Sequence, residues 1–157
     1  MKDSFVLGID IGGSHLTAAL VNEATRKFVP DSYTRLRVNS NGTAEEILST
    51  WTSAIRDIYA THQVKNKRVG IAMPGPFDYD KGISLIKGLD KYESLYKLNV
   101  KELLSEKLGI PVASILMMND AACFLRGEVY YGAAKGHTDV IGITLGTGTG
   151  SAFHHNG

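Results

Sequence analysis

With one cysteine, Cys123, in 157 residues, this chain can form no internal disulfide and no cysteine-built metal site. Charge of one sign is also missing: 17 Lys and Arg face 16 Asp and Glu, for a net +1. No nucleic-acid partner and no anionic membrane is therefore implied. Nothing resembles a signal peptide, and no apolar run approaches the roughly 18 residues of a membrane span. The expected setting is cytoplasmic. A P-loop is absent too, because no Gly-Lys-Ser/Thr ending opens a helix. What remains is an ordinary globular composition, 43% hydrophobic and 21% charged. The length suits a single domain with a sizeable core. Seventeen glycines exceed average usage.

Those glycines concentrate in a turn that occurs twice. Ile9-Asp10-Ile11-Gly12-Gly13-Ser14 matches Ile143-Thr144-Leu145-Gly146-Thr147-Gly148. Each is an apolar strand that breaks into glycine and small hydroxyl residues and then resumes as strand. Glycine permits positive φ and lets a phosphate reach main-chain N–H groups without a Cβ between them. The dinucleotide fingerprint does not apply, because no helical periodicity follows Gly13 or Gly150. Two strand–turn–strand units facing each other would grip a polyphosphate. Ser14, His15, Thr147 and Thr149 would then add side chains to Gly12, Gly13, Gly146 and Gly148, although a histidine on a strand is as readily turned to solvent.

Three strands are expected over 5–11, 16–21 and 33–38. A capping box at Thr43 and Glu46 opens a helix to about Ala60 whose Ile47, Trp51, Ile55 and Ile58 form one apolar stripe. A buried strand, 68–73, stops at Pro74-Gly75-Pro76, where proline forbids helix and central ladder alike. Asn99 and Glu102 resemble a second capping box, and Gly109 and Pro111 end that helix. Strand 114–118 leads into Asn119-Asp120 and a helix towards Tyr130. Strand 139–145 carries the second glycine turn. Strands and helices in this order indicate an α/β fold with a mixed sheet. Asn156-Gly157 is a hairpin turn signal without its returning strand, so the chain reads as part of a longer, two-lobed protein.

Two constellations could carry chemistry. Asp10 stands beside a phosphate turn, where a carboxylate is repelled unless a cation intervenes; it either anchors Mg²⁺, directly or through water, or stabilises the turn. Asn119-Asp120 ends a strand and starts a helix. It is either an N-cap or a pair in which Asn119 holds a substrate hydroxyl while Asp120 takes its proton. Pro74-Gly75-Pro76 is either a plain loop or a rigid wall that a ligand can approach.

Taken together, these segments resemble the ROK family of sugar kinases and sugar-responsive repressors, within the actin/hexokinase/Hsp70 ATPase superfamily. Asp10-Ile11-Gly12-Gly13-Ser14 and Leu145-Gly146-Thr147-Gly148 resemble its phosphate motifs. Gly70-Ile71-Ala72-Met73-Pro74-Gly75-Pro76 resembles its sugar-side loop, and Asn119-Asp120-Ala121 with Gly127-Glu128 its catalytic segment. Ser14 and His15 depart mildly from the usual pattern, and Ser151-Ala152 replaces glycines common after the second motif. The resemblance implies a ribonuclease H-like (actin-like ATPase) lobe over 1–118 and the start of a second lobe over 119–157. It implies an ATP- and Mg²⁺-dependent kinase for a hexose or amino sugar, with Asp120 as base and Pro74, Gly75 and Asn119 beside the sugar. The complete protein would be a homodimer; any structural zinc, and parts of both pockets, would lie beyond Gly157, leaving these residues alone inactive. Two rivals follow from the same resemblance. A repressor would carry a helix-turn-helix ahead of the first turn, where only nine residues precede Asp10. A non-catalytic actin-like ATPase would have no use for Pro74-Gly75-Pro76 together with Asn119-Asp120.

Overall fold

β1 (Phe5–Ile11) buries Leu7, Ile9 and Ile11 and turns Gly8 and Asp10 outward, the alternation of a strand packed on one face. In the computed structural model, which describes residues 4–146 and 148–156, β1 runs antiparallel to β2 (His15–Asn22). Two further strands pair antiparallel with β2: β3 (Lys27–Phe28) and β4 (Thr34–Arg37). β5 (Val69–Met73) joins β1 on its other side in parallel. A separate hairpin follows, β6 (Phe77–Asp78) with β7 (Ile83–Ser84). β8 (Ile115–Asn119) then completes the large sheet by pairing parallel with β5. The strand order is β3-β2-β1-β5-β8, with β4 also on β2, so the sheet is mixed, as expected. β2 starts one residue earlier than the sequence suggests, and β3 and the β6–β7 hairpin lack the four-residue patterning that would announce them.

The inward face of this sheet meets α1 (Ala44–Thr61) and α2 (Val100–Leu108) in one core. Trp51, Ile47, Ile55 and Ile58 are buried there, as the apolar stripe requires. At the start of α1 the capping box is reciprocal: Glu46 N donates to Thr43 Oγ1 (3.2 Å) and Thr43 N to Glu46 Oε2 (2.7 Å). α2 keeps half of that device, Glu102 N donating to Asn99 Oδ1 at 3.1 Å. Gly109 closes α2 at φ 63°, a left-handed conformation that suits glycine.

α3 (Asp120–Tyr131) follows β8 without a loop and crosses the outward face of the sheet, its Gly127 and Tyr131 facing Val21 and Phe28 across a cavity. It carries a second, two-stranded sheet of β9 (Asp139–Leu145) and β10 (Thr149–His155). Close approach is what the glycines here permit. A Cβ on Gly142 would stand 3.0 Å from Leu125 Cδ1, and one on Gly150 would stand 3.0 Å from Ala121 Cβ. The ribbon's other face holds Ile141, Ile143, Leu145 and Phe153, between 61% and 82% exposed. No helix among the described residues is long and apolar enough to cross a membrane.

Candidate active site

Both glycine turns close hairpins. The first links β1 to β2, where Gly12 N donates to His15 O at 2.8 Å. The second links β9 to β10, where Gly146 N donates to Gly148 O at 3.1 Å. Thr147 lies outside the described residues. The sequence suggests that glycine serves here through positive φ, and the structure corrects this at the first turn: neither Gly12 nor Gly13 has a left-handed φ. Nor does crowding demand them. A Cβ on Gly12 would meet His15 O at 3.5 Å and one on Gly13 would meet Lys91 Cδ at 3.7 Å, both ordinary contacts. A Cβ on Gly146 or Gly148 would meet nothing within 4 Å among the described residues. Crowding among the described residues therefore does not account for these glycines.

Around the first turn the register gathers polar groups. Asp10 pairs with Thr17 across β1–β2, Thr17 with Arg35 and His15 with Arg37 across β2–β4. All five side chains therefore lie on the outward face of the sheet. Ser14 Oγ lies 2.9 Å from His15 Nδ1. From below, Tyr92 supports the turn: its ring meets Trp51 edge-on at 5.5 Å and its hydroxyl donates to Gly12 O. Burial, and next the negative charge of Asp10, push the Tyr92 hydroxyl far above its usual range, so it serves as a neutral donor. Lys91, half-buried beside Gly13, brings a positive charge to the turn.

Parallel pairing of β1, β5 and β8 sets Asp10 opposite Ala72, and Met73 opposite Asn119. Asp10 and Asp120, from opposite ends of the sequence, thus share a cavity of about 330 Å³ with Ala72, Cys123, Phe124, Gly127 and Glu128. Larger cavities lie elsewhere along α3, but none holds either carboxylate. Desolvation raises the Asp10 carboxyl above its ordinary value, the like charge of Asp120 raises it further, and Arg35 partly opposes both. The Cys123 thiol is raised as well, by burial first and then by Asp10. A divalent cation would relieve the repulsion between these oxygen donors, so their chemistry fits Mg²⁺. No cluster of three or more metal-binding side chains forms among the described residues.

Asn119 caps α3, its Oδ1 accepting from Ala122 N at 3.1 Å. Its Nδ2 donates to Tyr79 Oη at 3.2 Å, and Tyr79 donates to Met73 O at 2.9 Å. Asp120 Oδ1 accepts from Ala121 N at 2.9 Å. Pro74 is buried at the end of β5 and Gly75 is half-buried beneath the Tyr79 hydroxyl. The structure thus brings Pro74, Gly75, Asn119 and Asp120 together and places Asp10 across the cavity. None of the described residues of either glycine turn lines that cavity. Sequence reasoning misses Tyr79, Tyr92, Lys91, Arg35 and Cys123. Only Arg35, alternating with Leu36 on a predicted strand, left a trace that could have found it.

The ROK family profile matches residues 6–157. The chain belongs to the ROK family. Among its ROK relatives, the glucokinase of Thermotoga maritima is 26% identical over 152 residues, which is 97% of this chain and 45% of that protein. The xylose repressor of Bacillus subtilis, 27% identical over 150 residues, matches 95% of this chain and 37% of its own length. The inorganic polyphosphate/ATP-glucomannokinase of Arthrobacter sp. strain KM superposes with a TM-score of 0.83 at 27% identity, covering 98% of this chain and 59% of that one. A ROK family glucokinase from Streptomyces griseus, solved with glucose and AMPPNP, gives 0.77 at 28% identity, covering 98% and 45%. The fold is that of the actin-like ATPases. The chain spans under half the length of the curated ROK relatives it matches.

Proposed function

We propose that this chain supplies the first half of the active site of an ATP-dependent kinase for a hexose or amino sugar. The observation that carries this reading is the meeting of Asp10 and Asp120 in one cavity, with Asn119 and Gly75 beside Asp120. Support comes from family relatives that phosphorylate glucose or N-acetylglucosamine by name, and from glucose and AMPPNP bound in the Streptomyces griseus glucokinase.

In this reading Asp120 accepts the proton of the attacking sugar hydroxyl. That oxygen bonds to the γ-phosphorus as the bridging P–O bond breaks, and ADP leaves with the bond's electron pair. A positioned base is typically worth about 10² to 10⁴ in rate. Phosphoryl transfer depends otherwise on position and charge neutralisation. Gly12, Gly13, Ser14 and His15 on one hairpin and Gly146, Thr147, Gly148 and Thr149 on the other receive the phosphates. Mg²⁺, held by Asp10 directly or through water, would offset their charge. Lys91 adds a fixed cation at the first turn. We assign the lobe boundary to 118/119, at the last residue of β8, which leads directly into α3.

The test is sugar-dependent ADP formation by the complete protein, with ATP, Mg²⁺ and a panel of hexoses and amino sugars. Asp120→Asn is expected to lower kcat by about 10² to 10⁴ with the circular dichroism spectrum unchanged. Full activity in that variant would remove Asp120 from the role of base, whereas a wild-type protein without sugar-dependent ADP formation would be a repressor or a non-catalytic ATPase. Residues 1–157 alone are expected to be silent in this assay.

A further inference from the structure

Tyr79 belongs to none of the motifs, yet its hydroxyl lies at the centre of the candidate sugar wall. It is 2.9 Å from Met73 O, 3.2 Å from Asn119 Nδ2, and 3.1 Å from the point where a Cβ on Gly75 would stand. A phenol has one proton to give. The Met73 carbonyl can only accept, so that proton is committed to it. What the hydroxyl turns to Asn119 is a lone pair, and Asn119 must answer with its NH₂ group. The other end of the amide is fixed independently, because Asn119 Oδ1 accepts from Ala122 N at the start of α3. The amide therefore cannot flip without losing both bonds, and one N–H remains for a ligand.

We infer that Tyr79 is a positioning and specificity-determining residue, holding Asn119 so that it offers the substrate a hydrogen-bond donor and no acceptor. This rests on the reading of the cleft as a sugar site. Beside Asn119, the ionised Asp120 can only accept. A hydroxyl fits this pair, its oxygen accepting from Asn119 and its proton directed at Asp120. An ammonium group in the same place satisfies the carboxylate but sets N–H against N–H at Asn119, leaving a donor unpaired. The class of group selected is thus a neutral oxygen. Gly75 is part of the device: a side chain there would press on the Tyr79 hydroxyl.

Two readouts separate this inference from the kinase proposal. In the complete protein, Tyr79→Phe is expected to raise the sugar KM about five- to tenfold, the effect of one misplaced neutral hydrogen bond. The ATP KM and kcat should stay within about twofold. An unchanged sugar KM, or an ATP KM that rises in step, overturns the positioning role. The second readout needs no activity. In nuclear magnetic resonance spectra of the wild-type protein, one Asn119 Nδ2 proton should be protected from exchange and the other not, the second becoming protected when sugar is added. Equal exchange of the two overturns the inference even where Tyr79→Phe fails to fold. A wild-type protein without sugar-dependent ADP formation defeats the kinase reading instead, and the Asn119 amide alone then decides whether Tyr79 fixes its polarity.

Discussion

Gly13 and Asp10 each carry a consequence that their surroundings make measurable. Since a Cβ on Gly13 would meet its nearest neighbour at an ordinary 3.7 Å, Gly13→Ala should leave unfolding free energy within about 0.5 kcal/mol of wild type. Its ATP KM should nonetheless rise about tenfold or more, because the methyl group occupies the approach to main-chain N–H groups. Loss of stability without loss of ATP affinity would show the glycine to be structural. Asp10 presents the reverse case. Its folded carboxyl is raised above its ordinary value, by desolvation first and by Asp120 next, so at neutral pH its ionised form opposes folding. Asp10→Asn removes that opposition and should raise the melting temperature of the ligand-free protein. The same change should cut kinase activity at least about a hundredfold, equivalent to ~2.7 kcal/mol of transition-state stabilisation. A fall in both would mean that Asp10 stabilises the turn instead.

The ribbon β9–β10 depends on α3, and glycine sets how closely the two approach. A Cβ on Gly150 would lie 2.5 Å from Thr144 Oγ1 and 3.0 Å from Ala121 Cβ. Gly150→Ala must therefore push the ribbon off α3 or displace Thr144, at a cost of roughly 1–3 kcal/mol. Hydrogen exchange is expected to show faster opening of β9 and β10 while the amides of β1, β2 and β5 keep their protection. Uniform loss of protection would mean that the ribbon and the six-stranded sheet unfold as one unit. The two ends of this chain also differ in how they could be read. Thr43 and Glu46 announce α1 because a capping box is made within four residues. Gly146 and Gly148 point by pattern to a phosphate, whereas Gly150, the glycine within β10, lets the ribbon approach α3, a role visible only once α3 is placed.

Across the molecule, several carboxylates tie distant segments together and set the acid limit of stability. Glu23 is held below its ordinary 4.5 first by its bond to Arg68, linking the end of β2 to the approach to β5. Glu45 is lowered first by Lys107, which joins α1 to α2. Glu46 is lowered by the Thr43 backbone and Asp78 by the Lys81 backbone. A depressed folded value means that the unfolded chain binds more protons in acid. The stabilisation is thus complete above about pH 4.5 and is lost as pH falls through the folded values. Glu23, Glu45 and Glu46 are solvent-exposed and Asp78 is partly so, and salt should therefore weaken the effect. Urea unfolding should give a midpoint that is flat from pH 7 to 5 and declines below 4.5, more gently in high salt. A midpoint constant down to pH 3 would show these pairs to be inert.

How far the chain could be read from its order of residues follows from the range of each interaction. Helix caps, apolar stripes, glycine turns and the strand-to-helix step at Asn119-Asp120 are each made within a few residues, so periodicity and residue type suffice to place them. That was enough for an α/β fold with a mixed sheet and for the ROK resemblance. The partners of Tyr79, Tyr92 and Lys91 are another matter. Tyr79 reaches Asn119 forty residues on, and Tyr92 reaches back eighty to Gly12. Such contacts leave no local period, because they exist only once β1, β5 and β8 lie side by side and bring the ends of three strands together. Parallel pairing is what sets Asp10 across a cavity from Asp120 and gives Asn119 a fixed polarity. Neither follows from the spacing of those residues along the chain.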